Sequence, residues 1–157
     1  MPDPFSTVRL HRVLRAPADL VYKAFIDPDA LCRWLPPYGY VGKIDRIDPR
    51  VGGSYHMSFR NFATGHSHAF ESTYVDLIPG ERIELADKFD DPGFAGDMSK
   101  TITLRSVSCG TEIEIVHAGL PALIPAEMCY LGWQESLLQL ARLVEVEIPG
   151  NTSIQGN

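Results

Sequence analysis

The sequence predicts an α+β domain of order β-α-α-β6-α, an antiparallel sheet with one long C-terminal helix laid on it. Three observations carry that prediction. The chain opens on an alternating stretch that is followed at once by two short helical patterns. From Tyr40 to Gly119, strand-like runs are broken repeatedly by turn chemistry. Residues 125–147 then hold apolar residues at helical spacing.

Each element follows from its residues. In residues 5–14, Val8, Leu10 and Leu14 share a face with Arg12, as on a strand with one buried side. In APADLVYKAF, Pro17 suits a first helical turn and Leu20, Val21, Ala24 and Phe25 form the apolar stripe. Asp27 caps a second helix that begins at Pro28 and buries Leu31, Trp34 and Leu35, and Pro36-Pro37 ends it. Strands are then expected near 40–47, 53–61, 66–78, 81–88, 98–107 and 111–118, separated by turns such as Val51-Gly52-Gly53, Pro79-Gly80 and Cys109-Gly110-Thr111. Short turns favour antiparallel neighbours. The stretch DDPGFAGD reads as a mobile loop. In the last helix Tyr130, Trp133, Leu137, Leu140, Ala141, Val144 and Ile148 fall on one face, with Glu135, Gln139 and Arg142 roughly opposite. Gly132, inside that helix, suggests a bend or a close approach. The ordered core is expected over about 5–148 of a single 1–157 domain, with 149–157 a flexible polar tail.

Composition narrows the function. The chain has 157 residues, 45% apolar and 22% charged, enough to bury one core without staples. A net charge of −6 with no long basic run argues against nucleic-acid binding and against a polybasic membrane anchor. Cys32, Cys109 and Cys129 are three scattered cysteines, which fits reduced thiols and a cytoplasmic location rather than a disulfide frame. No secretory leader is read at the N-terminus, and no apolar stretch reaches the ~20 residues that span a bilayer.

Four motifs together resemble one family. They are RVLRAPADLVYKAFIDPDALCRWL, DPRVGGSYHM, ESTYVDLIPGERIEL, and GTEIEIVHAGLP followed by GWQESLLQLARLVE. In this order they are similar to the helix-grip, START-like superfamily, which also includes birch-pollen-type allergens and polyketide cyclases. Within it they resemble the branch named after the activator of a heat-shock-protein ATPase. Ser72 stands where that branch commonly has glycine. The resemblance implies a curved antiparallel sheet wrapped around the C-terminal helix, with an apolar cavity between them. Fold alone does not fix function here, since it hosts binders, cyclases, hydrolases and co-chaperones.

The expected cavity lining is Trp34, Tyr55, Met57, Phe70, Tyr74, His117, Trp133 and Leu137, aromatic-rich as ligand sites are. No catalytic residue is assigned, but two candidates stand out. His117 follows Ile113 and Ile115 at even spacing and could face inward as an acid or base, or serve as a core histidine. Glu71 could act as a buried base, and its odd spacing from Asp76 puts the two on opposite faces. Arg12 needs an acid such as Glu71 or Asp76, or an anionic ligand. No metal is expected; the nearest approach to a ligand set is His56, His66 and His68. Cys129, near a helix start, could ionise or simply fill space.

These readings favour a cofactor-free binding domain for a small hydrophobic molecule, gated by DDPGFAGD and the Trp34–Tyr40 segment. A cyclase- or hydrolase-like enzyme and a co-chaperone-like protein-interaction module are the alternatives, and a homodimer is compatible with all three.

Overall fold

The computed structural model describes residues 5–94 and 96–145. The expected helix end at Glu147, Ile148 and the polar tail lie outside the described residues. The elements run β1 (Phe5–Leu14), α1 (Ala18–Lys23), α2 (Pro28–Trp34), β2 (Tyr40–Ile47), β3 (Ser54–Asn61), β4 (Ser67–Ile78), β5 (Arg82–Phe89), a 3-10 turn (Pro92–Phe94), β6 (Met98–Val107), β7 (Gly110–Pro121) and α3 (Ala126–Val144).

The seven strands form one curved antiparallel sheet of order β1-β7-β6-β5-β4-β3-β2. Consecutive hairpins build β2 to β7, and β1 returns to pair with the last strand. The two short helices carry the chain from one sheet edge to the other. Asp27 accepts a hydrogen bond from the Ala30 N–H at 3.1 Å, so α2 is capped as its sequence requires. Irregularities in β1, β2 and β4 break the pairing, and such bulges bend a sheet.

The concave face is set by strand parity. Tyr55 and Met57 of β3, Phe70, Ser72 and Tyr74 of β4, Ile83, Leu85 and Asp87 of β5, Met98, Lys100, Ile102 and Leu104 of β6, and Ile113 and Ile115 of β7 are all buried. The helix α3 buries Trp133, Ser136, Leu137, Leu140, Ala141 and Val144. It is fixed to α2 by polar side chains. Ser136 Oγ donates to the Leu35 carbonyl at 2.6 Å, and Gln139 Nε2 donates to the Trp34 and Pro36 carbonyls at 2.9 and 2.6 Å. Glu135 accepts the Tyr38 N–H at 3.0 Å. The Ser136 and Gln139 bonds satisfy carbonyls left open where α2 ends, and Glu135 satisfies a backbone N–H just beyond it.

Several details differ from the helical-wheel reading. Tyr130 is 41% exposed, because it lies on the flank of the buried stripe rather than at its centre. Gln139 is not a solvent residue; it closes the end of α2. Leu20 is exposed, and Tyr22 takes a buried place in α1. A methyl group added at Gly132 would meet nothing within 4 Å, so this glycine marks neither a close approach nor a crowded site. Two other glycines are required. A Cβ at Gly53 would lie 2.2 Å from the Asp48 carbonyl oxygen, and one at Gly42 would strike Pro36 and Met57 at 2.7 and 2.9 Å. Gly42 thus lets the end of α2 press against β2.

Candidate functional site

A row of polar side chains crosses the middle of the concave face. Tyr55 is the cross-strand partner of Ser72, Ser72 of Asp87, and Lys100 of His117, so β3 to β7 each contribute one group. Lys100 and Asp87 are 5% and 4% exposed. Lys100 Nζ lies 2.9 Å from Asp87 Oδ2, and Ser72 Oγ donates to Asp87 Oδ1 at 2.5 Å. Burial pushes the Tyr55 hydroxyl up, against the pull of the nearby Lys100 charge. The ammonium also stands 5.7 Å from the Phe70 ring centre and 6.0 Å from that of Trp133. Burial by itself would pull the lysine down, but the charge and hydrogen bond of Asp87 outweigh it, and Lys100 stays protonated.

His117 closes the row beneath α3. The Trp133 Nε1–H donates to His117 Nδ1 at 3.0 Å, and Cys129 Sγ lies 3.6 Å from the same nitrogen. Burial, with the Lys100 charge beside it, lowers His117 to about 4, so the ring is neutral at pH 7. The neutral ring lacks the acidic second proton of an imidazolium and keeps a single N–H, a hydrogen-bond donor. Its Nε2 is sealed from solvent and, among the described residues, has no hydrogen-bond partner. Burial pushes the Cys129 thiol up to about 11, which makes it an inert filler rather than a nucleophile.

Toward one end of the same face the packing opens. Tyr40, Phe59 and Phe89 are half-buried and His68 is exposed. Their rings form a continuous wall, with Phe59 and His68 centres 5.6 Å apart, His68 and Phe89 6.0 Å, and Phe59 and Phe70 5.3 Å. Phe94 of the 3-10 turn stands against Phe89 at 5.2 Å, which brings the segment expected to gate the site to its rim. The wall therefore runs from the rim through Phe70 to the buried ammonium.

The predicted lining residues divide into two groups. Tyr55, Phe70, His117 and Trp133 surround the polar row as described. Trp34, Met57, Tyr74 and Leu137 are packed core. Trp34 is no gate: it is fully buried, and its indole N–H donates to the Ala24 carbonyl at 2.8 Å. The Tyr74 hydroxyl is spent on the Phe25 carbonyl at 2.8 Å. Two hollows lie away from the sheet–helix interface. One is an open depression of about 470 Å³ between the β1–α1 corner and the β6–β7 turn, and the other, of about 150 Å³, lies against Lys43, Asp45, His56 and Ser58.

Other candidates fall outside the concave face. Glu71 points outward, where it pairs with Arg46 and accepts from Ser54 at 2.9 Å. The Arg46 hydrogen bond, then that of Ser54, holds its carboxyl below the usual range, the reverse of a buried base. Asp76 is outward too, 3.5 Å from Arg82, because the irregularity between Tyr74 and Asp76 resets the alternation. Arg12 therefore meets neither acid, and among the described residues its Nε has no partner. The three histidines are not brought together. His56 sits on the outer face between Asp45 at 2.9 Å and Asp90 at 2.7 Å, His66 lies in the turn before β4, and His68 faces the concave side opposite Phe59. Among the described residues no group of three or more His, Cys, Asp or Glu side chains is placed to hold a metal.

The sequence reading passed over Lys100 and Asp87. The signal was present: Met98, Lys100, Ile102 and Leu104 alternate on one face, as do Ile83, Leu85, Asp87 and Phe89. Each apolar face carries one charge, and the two charges are of opposite sign.

A curved antiparallel sheet gripping a long C-terminal helix, with mixed polar and aromatic groups on the concave side, defines the helix-grip, START-like class. The family model described as Activator of Hsp90 ATPase homolog 1-like protein matches residues 15–145. The chain belongs to that family. Among solved structures, a Chromobacterium violaceum protein is 57% identical, covering 90% of this chain and 98% of its own, with a TM-score of 0.88. An Aeromonas hydrophila protein titled AHSA1-like is 19% identical over 89% of this chain and 92% of its own, at a TM-score of 0.73. A Nitrosomonas europaea protein is 20% identical over 88% and 94%, at 0.72. The last two establish the fold alone. No curated protein matches the chain. All three cysteines are free, and among the described residues no helix is long and apolar enough to cross a membrane.

Proposed function

We propose that this protein binds a small hydrophobic molecule on the concave side of its sheet, beneath the N-terminal half of α3. One observation carries the reading: a half-exposed aromatic wall leads inward from the rim to a buried Lys100–Asp87 pair. Ligand sites combine a mostly apolar surface with a few fixed polar groups in this way. The pair is also a poor choice for stability alone, since apolar replacements of a buried ion pair often stabilise a fold as well or better. A role in orienting a guest accounts for keeping it. Binding would take place by displacement of the Phe94 turn from Phe89, which widens the rim. The free thiols suit a cytoplasmic setting.

The test is a thermal-shift screen against a mixed library of small hydrophobic compounds, followed by NMR mapping of each hit. Stabilisation is expected, with resonance changes at Phe59, Phe89 and Trp133. Hits confined to the outer face, or no hit from a broad library, would reject the reading.

A further inference from the structure

We infer that the guest carries an uncharged oxygen acceptor, a carbonyl of the ketone, ester or amide kind, on an aromatic body, and that its oxygen takes the Nε2–H of His117. The inference rests on the ligand-binding reading above. It begins from the hydrogen-bond network, which fixes the tautomer of His117. An indole N–H can only donate, so the 3.0 Å contact from Trp133 makes Nδ1 the acceptor nitrogen. The Cys129 sulfur lies 3.6 Å from the same atom. In the neutral ring the proton is therefore on Nε2. That N–H is sealed from solvent, and among the described residues it has no acceptor. A buried donor left unpaired is costly, and each such group calls for an explanation.

The neighbours decide what the missing acceptor is. Lys100 stands directly across the ladder from His117, but an ammonium cannot accept a hydrogen bond. It lies 2.9 Å from Asp87 Oδ2, and its charge is already balanced by that carboxylate. A carboxylate guest would place a second negative charge in a site whose charges cancel, and would be left buried without compensation. A hydrocarbon guest would leave Nε2–H unpaired. A carbonyl oxygen meets both conditions. The body of the guest follows from the wall, where Phe59, Phe70 and Phe89 offer ring faces and edges suited to an aromatic group.

Three probes of nearly one shape separate the possibilities: methyl naphthyl ketone, isopropenyl naphthalene and naphthoate. Their dissociation constants are measured by calorimetry on the intact protein, and the His117 imidazole proton is followed by nitrogen-edited NMR. The ketone is expected to bind about tenfold tighter than the hydrocarbon, the size of one buried hydrogen bond. Naphthoate is expected to be weakest. The ketone alone should move the Nε2–H resonance downfield, and His117→Leu should abolish the preference for it. Equal binding of ketone and hydrocarbon, or tightest binding of naphthoate, overturns the inference while leaving the ligand site intact. Failure of all three to bind counts against the ligand site itself and removes this inference with it. Should His117→Leu fold poorly, the imidazole shift in the native protein still decides the matter: movement with the ketone and stillness with the hydrocarbon support the inference, and any other pattern refutes it.

Discussion

Replacing Lys100 with methionine isolates what the buried pair does. Methionine is close in length and keeps the contacts with Phe70 and Trp133 apolar, so packing changes little. It leaves the Asp87 carboxylate enclosed, with Ser72 as its remaining close partner and only 4% of the residue exposed. Removing one member of a buried ion pair costs about 3–5 kcal/mol, because the survivor keeps its desolvation cost without its attraction. For a domain of this size that lowers Tm by roughly 6–20 °C, taking about 2–4 °C per kcal/mol. Urea titration of the native protein, Lys100→Met, Asp87→Leu, and the triple variant Lys100→Met/Asp87→Leu/Ser72→Ala completes the comparison. Each charge-removing single variant should fall by the amount stated. The triple variant, which also removes the orphaned serine hydroxyl, should recover to within about 2 kcal/mol of the native protein. A loss below ~1 kcal/mol in Lys100→Met would refute the reasoning, since exposed ion pairs are worth no more than that.

Two further outcomes follow from other parts of the molecule. Gly132→Ala should stabilise the protein by about 1 kcal/mol, because a helix-interior glycine is replaced where the new methyl meets nothing within 4 Å; a neutral or negative change in chemical denaturation would mean the position is under a constraint not visible in its surroundings. His56 should titrate above its ordinary 6.5, held up first by Asp90 and then by Asp45. Because its folded pKa is raised, its contribution to stability is fully present below the unfolded value and is lost as pH rises through the folded one. The hydrogen bond to His56 lowers Asp45, so that contribution is lost as pH falls through the depressed Asp45 value. The stability gap between native protein and His56→Gln should accordingly be widest in mildly acid solution and close on the alkaline side. An NMR titration placing His56 at or below 6.5 would contradict it.

Local rules made most of the fold legible. Turn residues such as Asp48-Pro49, Gly52-Gly53 and Pro79-Gly80 set the strand boundaries, and the strands near 40–47 and 98–107 fall at Tyr40–Ile47 and Met98–Val107. Asp27 announced its helix, because a capping side chain acts on backbone three residues away. The same even spacing put His117 inward with Ile113 and Ile115, and the buried stripe of α3 was readable from Trp133 to Val144.

The site was less legible, since it depends on relations between segments distant in sequence. Parity identifies a face only while the ladder is regular. One irregularity between Tyr74 and Asp76 turned Asp76 outward, to the side that Glu71 already faces by alternation with the buried Phe70 and Ser72. Lys100 and Asp87 were each visible as a charge on an apolar face, but their pairing required the registers of β4, β5, β6 and β7 together. The tautomer of His117 waited on Trp133, which only the docking of α3 brings to Nδ1. The sequence by itself determined the elements and the inward side of most strands, because those follow from contacts within a few residues. Tertiary structure decided which polar groups meet, because a buried charge or N–H is satisfied only by whatever the packed strands and helix place within about 3 Å of it.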